Sequence, residues 1–229
     1  MSVPRQILPG RFFKITRRCT QRQFLLRPDD ETNNAFVYCL AEAAARFGTE
    51  VIASSAQSNH HTDPFARDGR VVEFMEHFHK MMAKCMNALR GRWENFWSCE
   101  EASVVHLVDR SDVVDKVVYT LANPVKDGLV DTVAHWPGVN TLKNLLTGKP
   151  LRAQRPKHFF SEDGCARRQL DSPDVLPHQP LLPRCLNGIA PVDVAQFVVA
   201  AMDVGTVAAM SAVNTSLVAA ARRHTFTRR

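Results

Sequence analysis

The chain has 229 residues, of which 45% are hydrophobic and 23% are charged. These values exclude a wholly disordered chain, and the length allows one large domain, or one domain with an appendage, to bury a core. The net charge of +6 favours a polyanionic partner such as nucleic acid.

The first 28 residues carry seven basic side chains and no acidic one. Residues 12–19 alternate between apolar and basic side chains, which predicts a strand with one buried and one basic face. Two interpretations of the basic face stay open: it lies against phosphate groups, or it is simply solvated.

Three helices are predicted from apolar side chains at helical spacing. They cover residues 29–48, 71–89 and 111–123. Gly48 provides a stop for the first, and the third should end before Pro124, because a helix rarely continues through the residue before a proline. Strand-like runs occupy residues 50–54 and 103–108.

The C-terminal third has a different composition. Residues 161–191 are rich in proline and predict a linker, whereas residues 192–229 are rich in Ala and Val and predict a helical extension. The preceding domain would cover residues 1–160. A membrane anchor in the tail is the less favoured alternative, because that segment contains many Ser and Thr residues.

The cysteines and the N-terminus indicate a reducing compartment. Six cysteines occur without a C-x-x-C pair, and Cys39 and Cys85 fall within apolar helical patterns, which predicts buried thiols. No apolar region typical of a secretory signal opens the sequence. We therefore expect a cytoplasmic, nucleoid-associated protein without membrane contact.

Two sets of polar residues are candidates for chemistry. Tyr119 and Asn123 are four residues apart on the third helix, so a phenol and a carboxamide share one face. His60 and His61 are adjacent and would point to opposite sides of a regular strand. His77 and His79 lie about 200° apart around a helix, so we interpret them as surface histidines.

A basic and aromatic cluster follows the second helix. It contains Arg90, Arg92 and Trp93, together with Phe96 and Trp97. Such a cluster can stack bases and hold phosphates, or its aromatic side chains can anchor a loop in the core. These two interpretations are about equally supported by the residues.

Several segments together resemble a known family. PRQILPGRFFKITRRC, SNH, NALRGRWENFW, YTLANPVKDGLV and HWPGV are similar to motifs of the REP-associated tyrosine transposases, a single-tyrosine branch of the HUH endonucleases. The resemblance runs from about Pro4 to Phe160. It implies an α+β, ferredoxin-like antiparallel sheet backed by helices, usually in a homodimer.

The resemblance also implies an activity on single-stranded or hairpin DNA of the REP type. Tyr119 would be the nucleophile that forms a 5′-phosphotyrosine, and Mg²⁺ or Mn²⁺ would be held by His60 and Asn123, with His61 as a third candidate. The DNA would contact the basic residues and Trp93. The predicted contacts are Arg11, Lys14, Arg17, Arg18, Arg90, Arg92 and Trp93.

The sequence departs from the family at the metal-binding strand. The family has SNH, an aromatic residue, a second His and a hydrophobic run, whereas SNH here is followed by His61, Thr62, Asp63 and Pro64. Either Thr62 replaces the second His, or His61 is that His after a deletion. The alternatives to an active enzyme are a DNA-hairpin-binding protein that does not cut, and a degraded copy.

Overall fold

The computed structural model describes residues 11–66, 70–147 and 149–157. These ranges contain an antiparallel sheet together with helices, which confirms the predicted α+β fold class. The strands are β1 (Phe12–Arg18), β2 (Glu50–Val51), β3 (Ser55–Gln57), β4 (His60–Ala66) and β5 (Ser103–Leu107). The helices are α1 (Asp30–Phe47), α2 (Val71–Leu89), α3 (Arg110–Lys126) and α4 (Leu142–Thr147). The predicted linker and C-terminal extension lie outside the described residues.

The strands form one antiparallel sheet in the order β2-β4-β1-β5, and β3 also pairs with β4. Strands β1 and β4 are therefore central, and each of the pairs β1–β4 and β1–β5 is separated along the chain by helices, as in a ferredoxin-like fold. The sheet places the start of β4 beside the end of β1, with His60 opposite Arg18.

The predicted strand over residues 50–54 is wrong in its extent. The edge of the sheet is divided into β2 and β3, which pair with opposite ends of β4. The chain leaves the ladder between them, where the backbone N–H of Ser54 donates to Thr141 Oγ1 at 2.9 Å. Contacts with the later loop therefore replace strand pairing at this position.

The two faces of the sheet pack against different helices. Phe13 and Ile15 of β1 are buried in one apolar cluster with residues of α1 and α2. Leu107 of β5 belongs to a second cluster with Val117 and Leu121 of α3. Because side chains alternate along β1, Lys14 lies on the α3 face, where it is half-buried, whereas Arg18 at the end of the strand is exposed.

The first two helices match their predicted extents closely. Asp29 caps α1 by accepting from the backbone N–H of Thr32 at 2.7 Å, and Gly48 ends it in a left-handed conformation with φ 67°. The thiols of Cys39 and Cys85 are free and buried, as predicted.

The third helix differs from its prediction at both ends. It begins at Arg110, before the predicted cap at Ser111, and it continues through Pro124 to Lys126. Pro124 lies in the last turn and lacks the N–H that would otherwise donate to the carbonyl of Thr120. The last residue of the helix is therefore Lys126, and the next residue, Asp127, is its C-terminal cap.

Candidate active site

Tyr119 lies on the exposed side of α3 with 39% of its surface accessible. Lys126 Nζ is 4.0 Å and Lys14 Nζ is 5.3 Å from the centroid of its ring. Burial lowers the pKa of Lys14, and the nearby positive charges of Lys116 and Lys126 lower it further. Lys14, Lys116 and Lys126 therefore form a cationic group, here called the lysine cluster, that would attract a phosphate towards the phenol.

Asn123 lies one helical turn beyond Tyr119 and is 4% exposed. Asp127 follows after a further four residues, and its backbone N–H donates to the carbonyl of Asn123 at 2.9 Å. Residues at this spacing share one face of a helix. Tyr119, Asn123 and Asp127 therefore form a row along α3.

His60 begins β4, and its ring is oriented by the preceding turn. Its Nδ1 is 2.7 Å from Asn59 Oδ1, while Asn59 Nδ2 donates to the carbonyl of Arg22 at 3.5 Å. The Asn59 oxygen thus accepts from Nδ1–H, which leaves the lone pair on Nε2 of His60. Burial, followed by the influence of His61, lowers the pKa of His60 to about 4, so the ring is neutral at pH 7.

His61 lies on the opposite face of β4 and is fully buried. Its Nδ1 is 2.5 Å from Asp63 Oδ2, and its Nε2 is 3.0 Å from His79 Nε2. Both ring nitrogens are therefore engaged inside the core. The structure does not bring His61 to the face that carries His60.

Thr62 is the residue that shares the face of His60. It is opposite Thr16 in the β1–β4 register, and the two Oγ1 atoms are 3.3 Å apart. A threonine hydroxyl thus stands where alternation along the strand would place a second ligand beside His60.

The prediction of surface histidines on α2 is wrong for His79. Its side chain is buried, and burial, with the charge influence of His61 and Arg17, holds its pKa well below the usual value. Trp97 Nε1 donates to the carbonyl of His79 at 2.8 Å. His77 is half-buried and contacts Glu42 Oε2 at 2.6 Å. Helical spacing separates the two rings, as expected, but His79 faces the core because α2 packs on the sheet there.

The predicted DNA contacts divide into exposed and internal side chains. Arg11 and Arg18 are exposed. Arg17 is half-buried, with its guanidinium carbon 5.9 Å from the Trp97 ring centroid. Arg90 donates to Thr32 Oγ1 at 3.0 Å, so it braces the first turn of α1.

Trp93 is the most exposed of the large hydrophobic residues in the described ranges, at 84%. Its loop is held against the end of β1, where the N–H of Thr20 donates to the carbonyl of Phe96 at 2.9 Å. Arg92 beside it is half-buried. Phe96 and Trp97 are buried, so the aromatic cluster both anchors a loop and leaves one indole in solvent.

Two pairs of nearby residues were not identified from the sequence. Lys116 and Lys126 belong to the lysine cluster, and the i+7 spacing of Lys126 from Tyr119 on one helix was the available signal. Gln57 and Asp127 are joined by a 2.8 Å hydrogen bond from Gln57 Nε2 to Asp127 Oδ2. That pairing links a strand edge to a helix end, which no local pattern reveals.

Metal-binding side chains are sparse in this part of the chain. Within residues 11–66, 70–147 and 149–157, no three His, Cys, Asp or Glu side chains converge as a group that could hold a metal ion. The polar groups around His60 are mainly amides and hydroxyls. Among the helices that the structure describes, none has both the length and the apolar composition of a membrane span.

Comparisons with known proteins bear on the fold. No protein-family model and no curated protein matches the chain. A solved structure of a REP-associated tyrosine transposase bound to a REP hairpin is similar, with a TM-score of 0.55 at 16% identity, over 78% of this chain and 99% of that one. A provisionally identified transposase from Deinococcus radiodurans R1 aligns over 48% of this chain and 89% of its own, at 14% identity and a TM-score of 0.37. The first likeness shows that this chain has a transposase-like fold.

Proposed function

We propose that this protein is a single-tyrosine transposase that binds single-stranded or hairpin DNA and cuts and rejoins one strand through Tyr119. The observation that carries the proposal is the position of Tyr119. It is a partly exposed phenol one turn from a buried carboxamide, with Lys14 and Lys126 of the lysine cluster near its ring. A similar fold that binds a REP hairpin supports the choice of DNA.

The cleavage step uses the phenol as nucleophile. Tyr119 Oη attacks the phosphorus of the scissile phosphodiester, a new O–P bond forms, and the P–O3′ bond breaks. The 3′ oxygen leaves and takes up a proton as a hydroxyl, while the phenol proton passes to solvent. The 5′ phosphate stays on Tyr119 until a 3′ hydroxyl attacks it and restores a phosphodiester.

The lysine cluster would stabilise the phosphate during this exchange. Lys14 and Lys126 are close to the ring of Tyr119, so a phosphate bound at Oη would have positive charge nearby. Charges that are already in place stabilise developing negative charge without reorganising.

The residues present fit a divalent cation. His60 is neutral with a free Nε2, and its Nδ1 is fixed by Asn59, which is the arrangement typical of metal-binding histidines. His60 and Asn123 would hold Mg²⁺ or Mn²⁺, which would supply charge stabilisation at the scissile phosphate. In this proposal His61 has a structural part only, because its nitrogens face Asp63 and His79.

One observation favours a second candidate, a hairpin-binding protein that does not cut. Thr62 rather than an imidazole shares the face of His60. A neutral hydroxyl is a weaker ligand for a divalent cation than an imidazole. Such a protein would bind hairpin DNA through the exposed arginines and Trp93, either as a monomer or as the predicted homodimer.

A cleavage assay separates the two candidates. The protein is incubated with single-stranded hairpin DNA labelled on the 3′ side of the cleavage site, with Mg²⁺ or Mn²⁺, and resolved under denaturing conditions. A labelled covalent adduct supports the transposase. DNA binding in a mobility-shift assay without any adduct in either metal supports the binding protein.

A further inference from the structure

We propose that Asp127 and Gln57 complete the divalent-cation site together with His60 and Asn123, in place of a second strand histidine. The inference rests on the proposed function, since it concerns the cation expected beside Tyr119. It assigns two oxygen ligands, one a carboxylate from the end of α3 and one an amide from β3.

The first argument is the row of side chains along α3. Tyr119, Asn123 and Asp127 are spaced by four residues, so they lie on one helix face. The row ends at Asp127, whose Oδ2 accepts from Gln57 Nε2 at 2.8 Å. This hydrogen bond connects Asp127, at the end of the row, to Gln57 of β3 at the edge of the sheet.

The second argument is an unpartnered atom. Gln57 is only 3% exposed, and its Oε1 is buried without a hydrogen-bond partner. A buried acceptor that lacks a donor is costly, and such groups call for a physical explanation. A cation that accepts the lone pair of Oε1 provides one.

The third argument is the position of His60 relative to these groups. Gln57 is directly opposite His60 in the β3–β4 register, and directly opposed residues of antiparallel strands have side chains on one face. Gln57 also donates from its Nε2 to Asp127 Oδ2. Gln57 thus lies beside both His60 and Asp127.

The donor chemistry fits a hard cation. The set has one carboxylate, two amide carbonyls and one imidazole, and oxygen-rich sites of this kind suit Mg²⁺ and Mn²⁺. It includes only two residues of the His, Cys, Asp and Glu classes, which is consistent with the absence of a three-membered group in the described ranges. The carboxylate supplies the negative charge that Thr62 lacks.

Manganese binding without DNA tests the inference directly. Free and bound Mn²⁺ are measured by electron paramagnetic resonance for the full chain and for Asp127→Asn, Gln57→Met and His60→Gln. We expect at least a tenfold weaker affinity for each of the three variants. Asp131→Asn is the matched control, because Asp131 is exposed just beyond the same helix and should leave the affinity unchanged.

The outcomes distinguish the inference from the proposed function. If only His60→Gln weakens binding, a cation site exists without Asp127 and Gln57, and the inference is wrong while the proposed function stands. If the wild-type protein does not bind Mn²⁺, or if all variants bind like wild type, both are contradicted.

A second measurement needs no substitution, so it does not depend on how the variants fold. In the ¹⁵N-labelled wild-type protein, substoichiometric Mn²⁺ should broaden the side-chain amide signals of Gln57 and Asn123. The amide of Gln154, whose backbone bonds to Asn34 of α1 on the face of the sheet opposite α3, serves as the reference. Equal broadening of Gln57 and Gln154 would overturn the inference.

Discussion

The Nε2 atoms of His61 and His79 lie 3.0 Å apart in the core, so one ring must donate a proton and the other must accept it. Asp63 accepts from His61 Nδ1 and also from the hydroxyl of Ser54. These contacts form a buried polar chain from the sheet edge to α2. The chain explains why a histidine next to His60 faces away from Tyr119.

The lowered pKa values of His79 and His60 predict that the protein loses stability in acid. His79 has a pKa well below the usual value and His60 has one of about 4, so both are neutral when folded, whereas in the unfolded chain they titrate near 6.5. Below pH 6.5 the unfolded state therefore binds more protons, and the free energy of unfolding falls as the pH falls. Each histidine contributes a slope of at most about 1.4 kcal/mol per pH unit. Urea unfolding at pH 7.5 and 5.0 measures it.

The matched variant for this prediction is His79→Gln. It keeps a polar side chain but cannot titrate, so its unfolding free energy should depend less steeply on pH than that of wild type. His135, an exposed residue, provides the control substitution His135→Gln. Equal slopes in wild type and His79→Gln would contradict the account of the buried pair.

His60 and His61 should differ sharply when each is replaced by alanine. His61→Ala removes a buried ring that contacts Phe36 and Phe78, so we expect a loss of about 3 kcal/mol or more of unfolding free energy. His60→Ala should leave the fold nearly as stable but abolish cleavage. Thermal unfolding and the adduct assay measure the two effects, and a reversed pattern would show that His61 rather than His60 serves the site.

DNA binding should weaken strongly with salt. The described ranges expose Arg11 and Arg18, and they also include the lysine cluster near Tyr119. With about five phosphate contacts, the logarithm of the binding constant for single-stranded DNA should fall against the logarithm of salt concentration with a slope of about −3.5. Fluorescence anisotropy between about 50 and 200 mM salt, a range over which the Debye length falls roughly twofold, measures this slope. A flat dependence would contradict an electrostatic interface.

Trp93 should contribute by stacking on an unpaired base. Its indole is exposed, so Trp93→Ala should cost about 1–3 kcal/mol of single-stranded DNA affinity without lowering stability. Val108→Ala, at another exposed apolar residue, is the control for loss of surface area. If the two variants bind the same DNA equally well, Trp93 does not stack on it.

The sequence was sufficient for elements whose signals are local. The alternation of β1, the apolar stripe of α2 and the Gly48 stop predicted those elements closely, because each follows from a short repeating pattern. The end of α3 was not predicted, because the helix continues through Pro124 to Lys126. Tertiary contacts divided the strand over residues 50–54.

The candidate site was predictable only in part. The i, i+4 spacing of Tyr119 and Asn123 was visible in the sequence, as was the divergence of His60 and His61. Which neighbour shares the face of His60 depended on strand register. The bond between Gln57 and Asp127 joins residues 70 positions apart, and no local pattern carries that information.

The central claim is that Tyr119 is the nucleophile for a DNA strand. The sequence has one other tyrosine, Tyr38, which is half-buried on α1 and provides the control. Wild type, Tyr119→Phe and Tyr38→Phe are each incubated with 3′-side-labelled hairpin DNA and Mn²⁺, denatured, and examined for labelled protein. We predict an adduct for wild type and Tyr38→Phe and none for Tyr119→Phe, which should still bind the hairpin because it lacks only one hydroxyl. An adduct that persists in Tyr119→Phe would contradict the account.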